Sequence, residues 1–294
     1  MKKNILFIIN PISGGKSKDQ VPGLISENLD SNIFEHHIIF TNAPKQAGKI
    51  ALENIYKFDI IVAVGGDGTV NEIASVMVGT GKTFGILPYG SGNGLSRFLE
   101  IPMDTAGAIK SFNYLNTQTI DGAQLNGKWF FNVAGMGFDA HIADVFARHK
   151  HRGFFTYVRS AFSEVLNYKS HRYNINIDGN VQSTYAFMLS FANSSQYGNN
   201  AHISPTASVQ DGLIDVCVIK PFPLYRFVEM GLRMFFKKAE SSKYVKVIKG
   251  KQITVTRDEP GPVHIDGEPI TLGKEIEVQI KPASLNIIVG KDFS

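Results

Sequence analysis

Ile60-Ile61-Val62-Ala63-Val64-Gly65-Gly66-Asp67-Gly68-Thr69-Val70-Asn71-Glu72-Ile73 is the stretch from which the rest of the chain can be read. Five consecutive apolar residues without polar alternation predict a strand buried on both faces, the habit of a parallel sheet covered by helices. The glycines after Val64 predict a tight turn, and Val70 to Ile73 open a helix. Glycine lets the backbone approach a phosphate closely, and the free N–H groups at a helix start attract one, helped by a dipole of roughly half a charge. The run is not the dinucleotide fingerprint, whose third glycine would fall at Asn71.

On either side the pattern repeats. Asn4 to Ile9, Phe34 to Phe40, Asp59 to Val64 and Phe84 to Leu87 read as strands, with helices near 16 to 29, 43 to 57, 68 to 78 and 104 to 113. This alternation predicts a doubly wound α/β domain over residues 1–122. Two further glycine-rich turns follow strands. Asn10-Pro11-Ile12-Ser13-Gly14-Gly15-Lys16-Ser17 misses the P-loop pattern because Asn10 holds the first glycine position. The other is Leu87-Pro88-Tyr89-Gly90-Ser91-Gly92-Asn93-Gly94. Ligands of open α/β sheets bind outside the carboxyl ends of the strands, so all three turns can face one nucleotide.

Beyond residue 122 the period changes. Tyr173, Ile175 and Ile177 alternate with Asn174, Asn176 and Asp178 before a turn at Gly179-Asn180, and Ile253/Val255 and Ile276/Val278/Ile280 alternate likewise. Period-two runs predict antiparallel strands with one wet face, so residues 123–294 read as a β-rich domain with helices near 138 to 148, 153 to 168 and 222 to 238. Its last residues are free to return to the first domain. The single cysteine, Cys217, lies in an apolar run and reads as a core residue.

The chain has 294 residues, 43% of them hydrophobic and 19% charged, enough for a large core. A net charge of +4 favours phosphates or acidic lipid surfaces, but it is too small, and too poor in basic ribbons, to suggest nucleic acid. The apolar start stops at Asn10-Pro11, short of a signal peptide, and no apolar run approaches the ~18 residues of a membrane span. A cytoplasmic location is the expectation, with a homodimer among the assemblies left open.

Five segments occur in order: Asn10-Pro11 with Ser13-Gly14, Gly65-Gly66-Asp67-Gly68-Thr69 with Asn71-Glu72, Pro88-Tyr89-Gly90-Ser91-Gly92-Asn93, Asp211-Gly212-Leu213-Ile214-Asp215, and His264-Ile265-Asp266-Gly267-Glu268. Together they resemble the diacylglycerol kinase catalytic-domain family, which includes sphingosine, ceramide and bacterial lipid kinases. The resemblance implies an NAD kinase-like nucleotide-binding domain followed by a mainly antiparallel β-sandwich domain. It also implies an ATP-dependent kinase acting on a membrane lipid hydroxyl at the inner membrane face, in transient contact with an anionic surface. ATP would be surrounded by Asn10, Pro11, Ser13, Gly14, Thr41, Gly65 through Thr69, Asn71, Glu72 and Gly90 through Asn93, with Gly267 and Glu268 from the last motif. Asp211, with the carbonyls of Ser208 and Leu213, would hold a structural Mg²⁺. Both Asp266 and Asp67 could serve as general base, and the bacterial members put Asp266 first. Phosphoryl transfer would then take place in a groove between the domains.

The chain departs from the family at two points. Gly94 stands where many bacterial diacylglycerol kinases carry an aspartate, and His141 stands where sphingosine kinases carry an amine-binding aspartate, with Asp139 and Asp144 as nearby substitutes. An NAD kinase, phosphorylating a soluble nucleotide, shares the Gly-Gly-Asp-Gly-Thr loop, and a silent lipid-binding homologue is the non-enzyme alternative. Two apolar stretches suit either a core or a lipid: Phe154, Val158, Ala161, Phe162 and Val165 at helical spacing, and Phe227, Met230, Met234 and Phe235 beside a polar stripe of Arg226, Glu229, Arg233 and Lys237.

Overall fold

Strand and helix alternate from the start of the chain: β1 (Lys3–Ile9), α1 (Val21–Asn28), β2 (Phe34–Phe40), α2 (Ala47–Asn54), β3 (Ile60–Gly65), α3 (Asp67–Met77), β4 (Thr83–Pro88), α4 (Gly94–Phe98) and α5 (Thr105–Phe112). The computed structural model describes residues 2–15, 17–147 and 154–293. Two units separate, Met1–Ile120 with Ala283–Ser294, and Asp121–Pro282. In the first unit β2, β1, β3 and β4 lie side by side and parallel. Ile5 to Ile9 and Ile61 to Val64 are sealed from solvent, because neighbouring strands satisfy their backbone groups and helices cover both faces. Edge strand β2 instead shows Glu35, His36 and His37 to water.

The helix expected from residue 16 begins only at Val21. Gly14 and Gly15 both take positive φ (68° and 65°), which breaks the helical path, and Pro22 then fits the first turn. α5 starts where Asp104 accepts the Gly107 N–H at 2.7 Å, an ordinary N-cap.

The second unit holds β5 (Thr117–Leu125), β6 (Lys128–Phe130), β7 (Val133–Gly137), α6 (Phe138–Ala147), α7 (Phe154–Glu164), β8 (His171–Ile177), β9 (Asn180–Ala186), β10 (Met188–Ala192) and β11 (Ile214–Ile219). It continues through α8 (Phe227–Phe235), β12 (Val245–Gly250), β13 (Gln252–Arg257), β14 (Gly261–Ile265), β15 (Glu268–Leu272) and β16 (Glu275–Ile288). Asn286 and Ile287, past the end of this unit, pair parallel with Thr83 and Phe84 of β4.

One antiparallel sheet of the second unit runs β12-β11-β10-β7-β14-β15, and β16, β13, β8 and β9 pair antiparallel in another. Tyr173, Ile175, Val255 and Val278 of the second pack with Met136, Leu189, Phe191 and Val216 of the first, which is the core of a β-sandwich. The period-two runs have the expected wet face, with Asn174 exposed between buried Tyr173 and Ile175. The six-stranded sheet does not. Its other face carries Met188, Cys217 and Ile219, packed with Ile142 of α6, Met230 of α8 and Val165 just beyond α7. Because helices cover that face, β10 and β11 are buried at every position. Of the helical stripe read from Phe154 to Val165, Phe154 and Val158 have side chains outside the described residues.

Burial raises the Cys217 thiol well above its usual range. Native protein should therefore leave Cys217 unreacted with a thiol reagent until denaturant is added. Cys217→Ser should lower unfolding stability by about 1–3 kcal/mol, since a hydroxyl replaces an apolar sulfur in a sealed site. Chemical denaturation measures this, and rapid labelling of the folded protein would contradict the packing.

Candidate functional site

The three glycine turns at the carboxyl ends of β1, β3 and β4 interlock. A Cβ built on Gly90 would lie 2.8 Å from Gly66 Cα, and one on Gly66 would lie 3.0 Å from Gly90 Cα. At Gly14, with φ 68°, a Cβ would fall 1.6 Å from the Tyr89 carbonyl oxygen. Only glycine permits all three approaches.

Side chains lock the turns together. Asn93, itself left-handed at φ 52°, accepts the Gly90 N–H at 2.8 Å and donates to the Gly90 carbonyl at 2.9 Å. Asp67, the first residue of α3, accepts the N–H groups of Asn93 and Gly94, each at 3.1 Å. Asn10 donates to buried Thr69 at 3.0 Å, and Ser13 donates to the Asn10 carbonyl at 3.1 Å. Beside them, Asn10, Pro11, Thr41 and Pro44 line a cavity of about 100 Å³. Ser91 is exposed at the tip of its turn.

Two more residues expected at this site bond to α2 and within α3. Glu72 accepts the Ala47 N–H at 3.1 Å, and thereby caps α2, while Asn71 accepts the Ser75 hydroxyl at 3.4 Å within α3. Lys18 was not singled out from the sequence. It is 3% exposed, donates to the carbonyls of Ser13 and Pro11, and lies 5.2 Å from the Tyr89 ring centre. Burial lowers its pKa, and its charge sits directly under the first turn. Its signal was obscured by Lys16, the lysine of the near-miss P-loop, which lies outside the described residues.

In the second unit, Asp266 and Gly267 take φ of 47° and 85°, making the two-residue turn between β14 and β15. The Asp266 carboxylate is 9% exposed and accepts three backbone N–H bonds, from Phe131 at 3.1 Å, Asn132 at 2.9 Å and Val133 at 3.2 Å. Asp178-Gly179 is the same turn between β8 and β9, with φ of 50° and 89°, and its exposed carboxylate grips the N–H groups of Lys251 and Gln252. The clamp is thus a habit of the Asp-Gly turn, and Asp266 differs by its burial. Gly267 and Glu268 lie on the exposed side of the hairpin.

Two residues before Asp266, His264 lies 3.1 Å from Asp139, which also accepts from Ser190 and Tyr197, each at 3.1 Å. Asp139 is 5% exposed and committed to this network. His141 instead pairs with Glu164 at 2.8 Å and lines a cavity of about 360 Å³ with Gly137, Tyr168, Tyr173, Arg257 and Pro262. The Arg257 guanidinium is spent on the carbonyls of Gly261, Pro262, Leu272 and Gly273.

A cation at Asp211 does not fit the residues present. One carboxylate oxygen accepts the Leu213 N–H at 3.0 Å, and the other accepts the Lys249 ammonium at 3.0 Å. Lys249 also bridges to buried Asp215 at 2.7 Å, so its charge occupies the place a metal would take. Among the described residues no group of three His, Cys, Asp or Glu side chains could hold a metal.

Wild-type thermal stability should consequently be unchanged by EDTA. Lys249→Met should cost about 1–3 kcal/mol, less than breaking a wholly buried pair because the lysine side chain is 38% exposed. Burial lowers the Lys249 pKa, but the hydrogen bonds to Asp215 and Asp211 outweigh it, and the net shift is upward. The pair's contribution is therefore complete below pH ~10.5 and lost as pH climbs through the raised folded value. A melting temperature that falls with EDTA would show a cation at Asp211 after all.

Comparison with known proteins agrees with this architecture. A family model for the diacylglycerol kinase catalytic domain matches residues 4–125, and one for the YegS C-terminal NAD kinase beta sandwich-like domain matches residues 132–289. The diacylglycerol kinase of Bacillus subtilis is 25% identical over 274 residues, 90% of this chain and 90% of its own length. A crystal structure of a diacylglycerol kinase from Bacillus anthracis covers 99% of this chain and 98% of its own with TM-score 0.78 at 21% identity. An NAD kinase from Archaeoglobus fulgidus, solved with ATP, covers 98% and 94% with TM-score 0.53 at 15% identity. These two likenesses show a shared fold. With its two halves matched in order, the chain belongs to the diacylglycerol kinase catalytic-domain family of lipid kinases, with a YegS-type β-sandwich as its C-terminal domain.

Proposed function

We propose that this protein transfers the γ-phosphate of ATP to a hydroxyl of a membrane lipid, a neutral glycerolipid of the diacylglycerol type. The observation that carries the reading is the interlocking of Gly14, Gly66 and Gly90 at the carboxyl ends of three parallel strands, in a chain of this family. Backbone packed without side chains offers N–H groups to a triphosphate, and the start of α3 adds its dipole. Asn10 and Thr41 border the small cavity beside the turns and suit the nucleoside end. A neutral acceptor is favoured over a sphingoid base because His141 stands at the position of the amine-binding aspartate and Asp139 is buried in its own network. A soluble nucleotide acceptor remains the enzyme alternative.

ATP arrives as its Mg²⁺ complex, and the ion supplies charge neutralisation on the phosphate oxygens. The chain's own residues position the reactants. Asp67 holds the third turn in place, and Asn93 keeps it closed. Asp266 accepts the proton of the lipid hydroxyl. A loose phosphoryl transition state needs a well-placed acceptor more than a strongly basic one.

Gly90→Val should raise the apparent KM for ATP at least tenfold by forcing the second and third turns apart, while the protein stays folded. Asp266→Asn should cut kcat by about 10² or more with the ATP KM preserved, whereas Asp178→Asn, which weakens the same type of clamp, should leave kcat within about twofold. Asp67→Asn should change KM as well as kcat, because it loosens a nucleotide turn. Radiolabelled ATP with diacylglycerol, monoacylglycerol, sphingosine, ceramide and NAD as acceptors tests the substrate. Label in NAD alone would overturn the lipid reading, and a base signature at Asp67 in place of Asp266 would reverse their roles.

A further inference from the structure

Helix α8 carries two apolar stripes, and among the described residues one of them packs into the core. Phe227, Met230 and Met234 pack against the outer face of the six-stranded sheet. Val228, Leu232 and Phe235, at i, i+4 and i+7, form a second stripe that faces water. Leu224, Tyr225 and Phe236 extend it at the two helix ends, and these six side chains are between 41% and 80% exposed. Phe162 of α7, 48% exposed, stacks edge-on against Phe227 of the core-facing stripe at 5.4 Å. An exposed apolar surface this continuous marks an interaction site, unlike apolar residues scattered singly.

Charge decides the partner. Residues 220–246 hold seven lysines and arginines against two glutamates, a net +5, while the whole chain carries +4. The remainder of the protein is thus slightly negative, and its positive charge is gathered around α8. Glu229 is already shared by Arg226 at 3.3 Å and Arg233 at 2.9 Å, and Lys237, Lys238, Lys243 and Lys246 stand exposed around the helix. Large apolar and aromatic side chains ringed by lysines suit the boundary between acyl chains and acidic headgroups. We infer that α8 is the surface by which this protein docks on an anionic bilayer, with Val228, Leu232 and Phe235 entering the lipid and Lys237 and Lys238 meeting the headgroups.

The inference extends the reading of a membrane-borne acceptor, and it can be tested without ATP or substrate, so the two can fail separately. Cys217 is sealed, so Leu232→Cys offers one reactive thiol for an environment-sensitive fluorophore. Emission should shift to the blue with vesicles of phosphatidylcholine mixed with phosphatidylglycerol and stay unchanged with phosphatidylcholine alone. In flotation, unlabelled Leu232→Glu should lose binding. The double variant Lys237→Gln/Lys238→Gln should bind about 30-fold more weakly, from about fivefold per cation near the surface. No binding of wild type to acidic vesicles would overturn the inference, as would flotation with an unshifted fluorophore. A fluorophore already in apolar surroundings without vesicles, in a chain that elutes as a dimer, would assign the face to a second copy instead.

Discussion

Backbone meets backbone at Gly66 and Gly90, with no space for a side chain on either residue, and the first unit depends on this contact. It fixes how far β3 and β4 run before they turn, and it lets Asp67 reach the N–H groups at the start of α4. Gly14 presses on the same turn from β1, and buried Lys18 holds the first turn from beneath. Three loops that are separate in sequence therefore behave as one rigid surface. A phosphate site needs such rigidity, because backbone donors can bind an anion only if they do not have to be ordered for each encounter.

Motif carboxylates in this protein mostly grip backbone. Asp67, Glu72, Asp178 and Asp266 all accept main-chain N–H groups, and Asp104 caps a helix the same way. A charged acceptor on an amide is worth roughly twice a neutral one, so each clamp fixes a turn or a helix start firmly. Asp211 accepts the Leu213 N–H in the same way, and it also shares the Lys249 ammonium with Asp215. A lysine charge thus stands beside the carboxylate where the family resemblance implied a structural Mg²⁺.

The sheet of the second unit explains why α8 is exposed as it is. Strands β10 and β11 bury residues on both faces, so α6, α7 and α8 must lie across the outer one. A helix laid flat on a sheet can bury only about half its circumference. Phe227, Met230 and Met234 fill that half, and the apolar residues on the other half are left to solvent. The helix is thus anchored by one stripe and displays the other.

Local pattern was enough to determine the alternation of β1 to β4 with helices, the period-two strands β8, β13 and β16, and the glycine turns, because strand periodicity and glycine's freedom at positive φ act within a few residues. It also named Asn10, Thr69, Gly90 and Asn93, which the fold pairs as Asn10 with Thr69 and Gly90 with Asn93. What a carboxylate does with its lone pairs was not legible. Asp178-Gly179 and Asp266-Gly267 are the same dipeptide in the same turn, yet one is exposed and the other buried against residues 131–133, more than 130 positions earlier in the chain. Likewise, neither the turning of Glu72 to α2, nor the pairing of Lys249 with Asp211, nor the half-covered state of α8 has a local signal. The sequence by itself determined which segments could build strands, turns and helices. Tertiary structure alone decided which polar group meets which, because hydrogen-bond partners and burial are set by packing between segments far apart in the chain.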